Sequence, residues 1–178
     1  MGDASVSDSI KTEKSFQVNS EEFRATLGQF PTGITVVSTN DENGNPYGMT
    51  ANSFGSVSLD PPLVQWSIAT KSYSHPIFSA GQGFAINILS AEQKNISQIF
   101  TQPIDRFKQV SWEKGLIDLP LIHGCLAWIE CDLEDEILCG DHTIFVGRVL
   151  RARCFDKRPL LYWQGEYASL SGSGDEEY

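Results

Sequence analysis

Two long stretches in the second half of the chain, GCLAWIECDLEDEIL (124–138) and HTIFVGRVLRARCF (142–155), constrain the fold more than any other feature. Each reads as one strand. Strands of that length do not lie in a flat open sheet, because right-handed twist accumulates along them. They predict a coiled, barrel-like sheet.

The remaining segments supply shorter elements. Asn19 with Glu22 three residues on resembles a capping box, and Phe23, Leu27 and Phe30 then share one helical face until Pro31 and Gly33 stop the helix. From Ile34 the run ITVVST reads as a strand, followed by the turn-prone NDENGNPYG. A return strand starts near Tyr47 and continues through Phe54 until Asp60-Pro61-Pro62 ends it. LVQWSIA, FAINILS and PLLYWQ are further strands, with a short helical or looped piece around His75-Pro76. Ser90 with Gln93 predicts a second helix cap leading into AEQKNISQIF. Because helices do not alternate regularly with strands, a doubly wound nucleotide fold is disfavoured. Gly81-Gln82-Gly83 is a turn rather than a dinucleotide fingerprint, and there is no GxxxxGK loop.

A chain of 178 residues, 40% of them hydrophobic, suffices for one core and is short for two. One domain over 19–170 is expected, preceded by a polar, flexible arm (1–18) and followed by an acidic, flexible tail (171–178). The formal charge of −10, from 13 Lys+Arg against 23 Asp+Glu, argues against a nucleic-acid partner, which needs a broad basic surface. No apolar run approaches the about 20 residues that span a bilayer, and the opening residues lack an apolar signal core, so a cytoplasmic protein without a membrane partner is expected. Cys125, Cys131, Cys139 and Cys154 form no CxxC pair and no zinc spacing, so no metal site is expected. The alternation Cys125, Ala127, Ile129, Cys131 is that of small buried thiols in a reducing compartment.

The segment most suggestive of chemistry is Tyr47-Gly48-Met49-Thr50-Ala51-Asn52-Ser53-Phe54. A strand rarely places Gly, Thr, Asn and Ser together unless a ligand or another backbone approaches it. Small side chains would admit a flat ring, and amides and hydroxyls could meet its polar edge. On composition alone, a hairpin strand with one solvated face explains the segment equally well.

Several segments in order, FPTGITVVST, YGMTANSFGSVSLDPPL, FAINILS, DRF, GDHTIFVGRV and PLLYWQGEY, resemble the flavin reductase-like, FMN-binding split-barrel family over residues 20 to 170. That family includes the reductase components of two-component flavin-dependent monooxygenases. The resemblance implies a mainly β, Greek-key split β-barrel with a few short peripheral helices, assembled as a homodimer. It implies an NAD(P)H:flavin oxidoreductase that moves hydride from NADH or NADPH to FMN, or to FAD, and supplies reduced flavin to an oxygenase or another acceptor.

The same resemblance implies roles for individual residues. Thr32, Gly33, Met49, Thr50, Ala51, Asn52 and Ser53 would neighbour the flavin ring and ribityl chain. Ser67, Lys71 and Ser72 would hold its phosphate, with Arg106 a second cation. Lys71 and Arg106 are otherwise ordinary solvated charges. His142 in GDH would position nicotinamide, and Tyr167 would border it. Their plainer roles are a strand-end histidine with one hydrogen bond and a packing tyrosine. His75 would shape the exit of the phosphate loop, and neither it nor His123 receives a catalytic role. Trp66, Trp112, Trp128 and Trp163 are read as packing residues. Gln65-Trp66 stands where relatives carry smaller apolar residues, a departure that bears on Ser67. Two other readings stay open: flavin-bound reduction of a corrinoid or metal chelate, and a non-enzymatic flavin- or haem-binding module with His142 as ligand.

Overall fold

The computed structural model describes residues 18–170. The acidic tail, and all of the N-terminal arm except Val18, lie outside the described residues.

The helix expected after Asn19 is α1 (Ser20–Leu27), capped by the Asn19 side chain, which accepts from the Glu21 backbone N–H at 2.9 Å. Its apolar face does not reach the core: Phe23 is 53%, Leu27 57% and Phe30 75% exposed. β1 (Thr32–Gly33) and β2 (Thr35–Asn40) follow, then β3 (Pro46–Ala51) and β4 (Gly55–Leu59). The single return strand expected from Tyr47 to Phe54 is therefore two strands with a break at 52–54. β5 (Pro62–Ala69), α2 (His75–Ala80) and β6 (Gly83–Ile88) follow. The Ser90–Gln93 capping box is present, on a 3-10 turn that runs into α3 (Lys94–Ile99). A small hairpin of β7 (Trp112–Lys114) and β8 (Pro120–Ile122) precedes the two long strands, β9 (Ala127–Cys139) and β10 (His142–Cys154). β11 (Leu161–Trp163) and β12 (Glu166–Ala168) follow; β11 pairs with β1 on one side and with β12 on the other.

The main sheet has seven strands in the order β3-β2-β6-β9-β10-β5-β4, each pair antiparallel. β9 and β10 have 13 residues each, about 43 Å at the usual rise. β6 lies beside the first half of β9, and β5 beside the first half of β10, so the two long strands carry the sheet around a corner. Irregularities at Val146/Gly147 and Val149/Arg151 sharpen that bend.

The edge strands β3 and β4 are not hydrogen-bonded to each other, yet residues 52–54 alone connect them. A connection that short spans at most roughly 14 Å, so the sheet curls until its two edges nearly meet. The result is the expected mainly β barrel with short helices, split along the β3/β4 seam.

Side-chain alternation fills the barrel. On β5 the residues Val64, Trp66 and Ile68 point inward and are buried, while Gln65, Ser67 and Ala69 take the other face. Trp66 stacks on Phe145 at 5.1 Å and meets Phe78 and Phe84 edge-on. A second cluster around Phe100, Leu121, Ile122 and Trp128 packs between the outer face of the sheet and α3 with its neighbouring hairpin. Trp112 and Tyr167 pack against this cluster, whereas Trp163 is 46% exposed.

Candidate active site

Many of the side chains singled out in the sequence collect at the β3/β4 seam. The Ser53 hydroxyl donates to the Ser67 carbonyl at 2.9 Å and accepts from the Ser67 N–H at 3.0 Å, while Gln65 Nε2 donates to the Ser53 carbonyl at 3.3 Å. The Thr35 hydroxyl donates to the Ala51 carbonyl at 2.8 Å. These contacts tie Ala51, at the end of β3, to β2 and Ser53, beyond it, to β5. The Gln65-Trp66 departure is thereby resolved: Trp66 belongs to the interior, and Gln65 braces the seam.

Along this seam a cavity of about 280 Å3 is lined by Met49, Thr50, Ala51, Asn52, Ser53, Ser67, Ser72 and His142, together with Ile68 and Ala69. No carboxylate is in its lining. A second cavity, about 200 Å3, shares Thr50, Ala51 and Asn52 as a common wall and is closed by Ile34, Ser97, Thr101, Tyr162 and Tyr167. Thr32 touches this wall, its hydroxyl accepting from Asn52 Nδ2 at 3.3 Å, and Gly33 beside it has open space around its Cα. The Thr50 hydroxyl donates to the Ser97 carbonyl at 2.6 Å, and Tyr167 and Ser97 share a hydrogen bond of 3.0 Å. Lys94 Nζ lies 5.2 Å from the centre of the Tyr167 ring.

His142 opens β10 directly after the two-residue turn Gly140-Asp141, where Gly140 takes a φ of 62° that favours glycine. Its Nδ1–H donates to Asp141 Oδ1 at 2.7 Å, which leaves Nε2 as the ring atom able to meet a ligand; the side chain is 47% exposed. The hydrogen bond from His142 holds the Asp141 carboxyl below the usual carboxylate range, and the Lys71 ammonium adds to the effect. Lys71 is exposed, acts on Asp141 and precedes the lining residue Ser72, but is not itself in the cavity lining.

Two expected groupings differ from what the fold builds. Arg106 is not brought to the seam cavity. It lines a larger one, about 570 Å3, with Tyr47, Gly48, Lys108 and Trp112 at the opposite end of β3. There its Nε donates to the Gln102 carbonyl at 2.8 Å, Nη1 donates to the Gly48 carbonyl, and the guanidinium lies 5.5 Å from the centre of the Tyr47 ring. Tyr167 and His142 also line different cavities, one on each side of the Thr50–Asn52 wall. Ser97, Thr101 and Tyr162 enter the site unannounced, since a helical Ser and an alternating aromatic look like packing until β1, β11 and α3 are placed together.

Residues 27–171 match the family model described as Flavin reductase like domain. The chain belongs to the flavin reductase-like family.

Within this family, the FMN reductase (NADH) SmoA of Agrobacterium fabrum is 48% identical over 153 residues, covering 86% of this chain and 87% of its own. The reductase component of the flavin-dependent trigonelline monooxygenase of Acinetobacter baylyi is 45% identical, covering 87% of this chain; the chain spans 50% of that relative's length. Among solved structures, the NADH:FAD oxidoreductase SgcE6 of Streptomyces globisporus, in complex with NAD and FAD fragments, superposes with a TM-score of 0.82 at 36% identity, covering 87% of this chain and 94% of that one.

The donor set fits a flavin. A free sheet edge flanked by the Asn52 amide suits the carbonyl-rich rim of the ring, and Ser72 with Lys71 suits a phosphate in surroundings without a lining carboxylate.

Proposed function

We propose that this chain uses NADH to reduce FMN and releases the reduced flavin to a separate flavin-dependent oxygenase. The observation that carries the reading is the seam cavity, where Met49–Ser53, Ser67, Ser72 and His142 converge from three strands and two loops. SmoA, at 48% identity, supports the pairing of FMN with NADH, and the trigonelline reductase supports the oxygenase partner. SgcE6 makes FAD the competitor to test. Readings as a corrinoid or metal-chelate reductase, or as a binding module, gain nothing from these relatives.

Flavin, when bound, supplies the two-electron acceptor; the chain's residues bind, orient and exclude water. Thr32, Gly33 and the Met49–Ser53 edge seat the ring system, while Ser67, Ser72 and Lys71 take the phosphate. Arg106 reaches the cofactor only through the β3 backbone whose Gly48 carbonyl it holds. His142 presents Nε2 to the nicotinamide carboxamide, with Asp141 fixing the ring's tautomer and orientation. Tyr167, proposed to border the nicotinamide, does so from the neighbouring cavity across the shared wall.

The protein acts as a cytoplasmic homodimer with one folded unit over 19–170. The exposed Phe23, Leu27 and Phe30 of the α1 region, continued by Trp163, support a second copy as their cover. No helix among the described residues is long and apolar enough to cross a membrane.

The deciding experiment crosses FMN and FAD with NADH and NADPH in a steady-state assay at the nicotinamide absorbance. NADH with FMN is expected to give the highest kcat/KM. Protein that binds flavin tightly but leaves it oxidised under anaerobic NADH would refute the reading.

A further inference from the structure

We infer that His75 is a positioning residue: by bonding the Thr143 hydroxyl it fixes the spacing between the loop that carries Ser72 and the strand end that carries His142. The inference rests on the site reading above and adds a residue outside the cavity lining.

Ser72 sits in the loop between β5 and α2, and three anchors tie that loop down. At its start, the Thr70 N–H and hydroxyl both donate to the Asp141 carbonyl, at 2.9 and 3.2 Å. At its end, Tyr47 and Ser74 share a hydrogen bond of 2.7 Å, and His75 Nε2 shares one of 2.8 Å with Thr143 Oγ1. Among the described residues the His75 anchor is the one side-chain hydrogen bond from the first turn of α2 to β10, beside the packing of Phe78 on Phe145.

Its position gives it leverage on both sides. Ser72 is bracketed by this anchor, because its carbonyl accepts from the His75 N–H at 3.0 Å and its hydroxyl accepts from the Ser74 N–H at 3.3 Å. Thr143 is the residue after His142; strand alternation turns Thr143 inward, 5% exposed, and His142 outward. Thr143 also pairs across the sheet with Ile68, whose side belongs to the cavity lining. The His75 ring cannot swing freely, since it packs edge-on against Phe145 at 5.9 Å. Breaking the bond would leave a buried hydroxyl unpaired, and the loop and strand would relax apart. Small displacements of positioning groups cost far more in ligand geometry than in fold stability.

The test measures flavin Kd, NADH KM and kcat for His75→Leu, His75→Gln, Thr143→Val and the His75→Leu/Thr143→Val double variant. His75→Leu and Thr143→Val should each raise flavin Kd and NADH KM about tenfold, with kcat within about threefold. The double variant should show the same loss as either single, because one interaction is removed in all three. His75→Gln, whose amide nitrogen reaches the Nε2 position, should restore both constants to within about threefold of the parent. Ser79→Ala, on α2 but bonded only to Glu136, serves as the neutral comparison. Additive losses, a Gln variant no better than Leu, or a lowered melting temperature with unchanged ligand constants would each overturn the inference. Ser72→Ala and His142→Ala separate the two levels: if neither affects flavin or NADH, the site reading itself fails; if both do while His75→Leu does not, only His75 is misassigned.

Discussion

His142 commits one ring nitrogen to Asp141 and lines the seam cavity, so the role proposed for it is orientation rather than covalent chemistry. His142→Ala should lower kcat/KM for NADH about 10- to 100-fold while flavin Kd stays within about twofold, measured by steady-state kinetics beside a fluorescence titration of flavin. An equal loss of flavin affinity would place the histidine on the wrong ligand. The buried cysteines lend themselves to a pH experiment. Burial pushes the Cys125 and Cys131 thiols from the ordinary 9.0 up to about 12. The folded state therefore holds them protonated where the unfolded chain would ionise them. Their contribution is intact below pH 9 and is lost as pH rises toward 12. Melting temperature should fall across that window, and a Cys125→Ala/Cys131→Ala variant should show a shallower fall. At this scale the burial of Cys125 and Cys131 was legible, but not as one strand face: Cys125 precedes β9 and lies in the outer cluster, whereas Cys131 lies in the barrel interior. The run of small and polar residues within 49–53 marked the segment that lines the seam cavity. Arg106 was not legible, because its place depends on which end of β3 its loop reaches, and nothing local encodes that.

β9 and β10 have to bend where β6 and β5 leave them, and the bend is cut by glycine. A Cβ at Gly147 would run into the Phe84 ring and the Cys131 side chain. Gly147→Ala should therefore destabilise the fold by about 1–3 kcal/mol in urea titrations. Gly33→Ala, where nothing lies within 4 Å of the added atom, should be close to neutral for stability. The long strands and both helix caps were readable because strand length and capping residues are local signals. The break at 52–54 was not. Asn52, Ser53 and Phe54 suit a strand as well as a bridge, and only the β4–β5 pairing reveals that the chain has crossed to the far edge of the sheet. The apolar face of α1 was read correctly as a stripe, but its destination was not in the stripe itself.

For the molecule as a whole, that stripe is an apolar surface left exposed by the described residues. If the proposed dimer forms through this face, Phe23→Asp/Leu27→Asp should sediment as a monomer and turn over more slowly, with near-native circular dichroism, because charge at these positions is compatible with the isolated fold but not with an apolar contact. A parent that sediments as a monomer at micromolar concentration would refute the assembly. The barrel's opening has a different consequence. Asn52 and Ser53 both bridge the gap between edge strands and form part of the cavity wall, so an occupant would act as a clasp. Heat resistance should then climb with the concentration of whatever sits there, and a chain stripped of its cofactor should come apart first along that line.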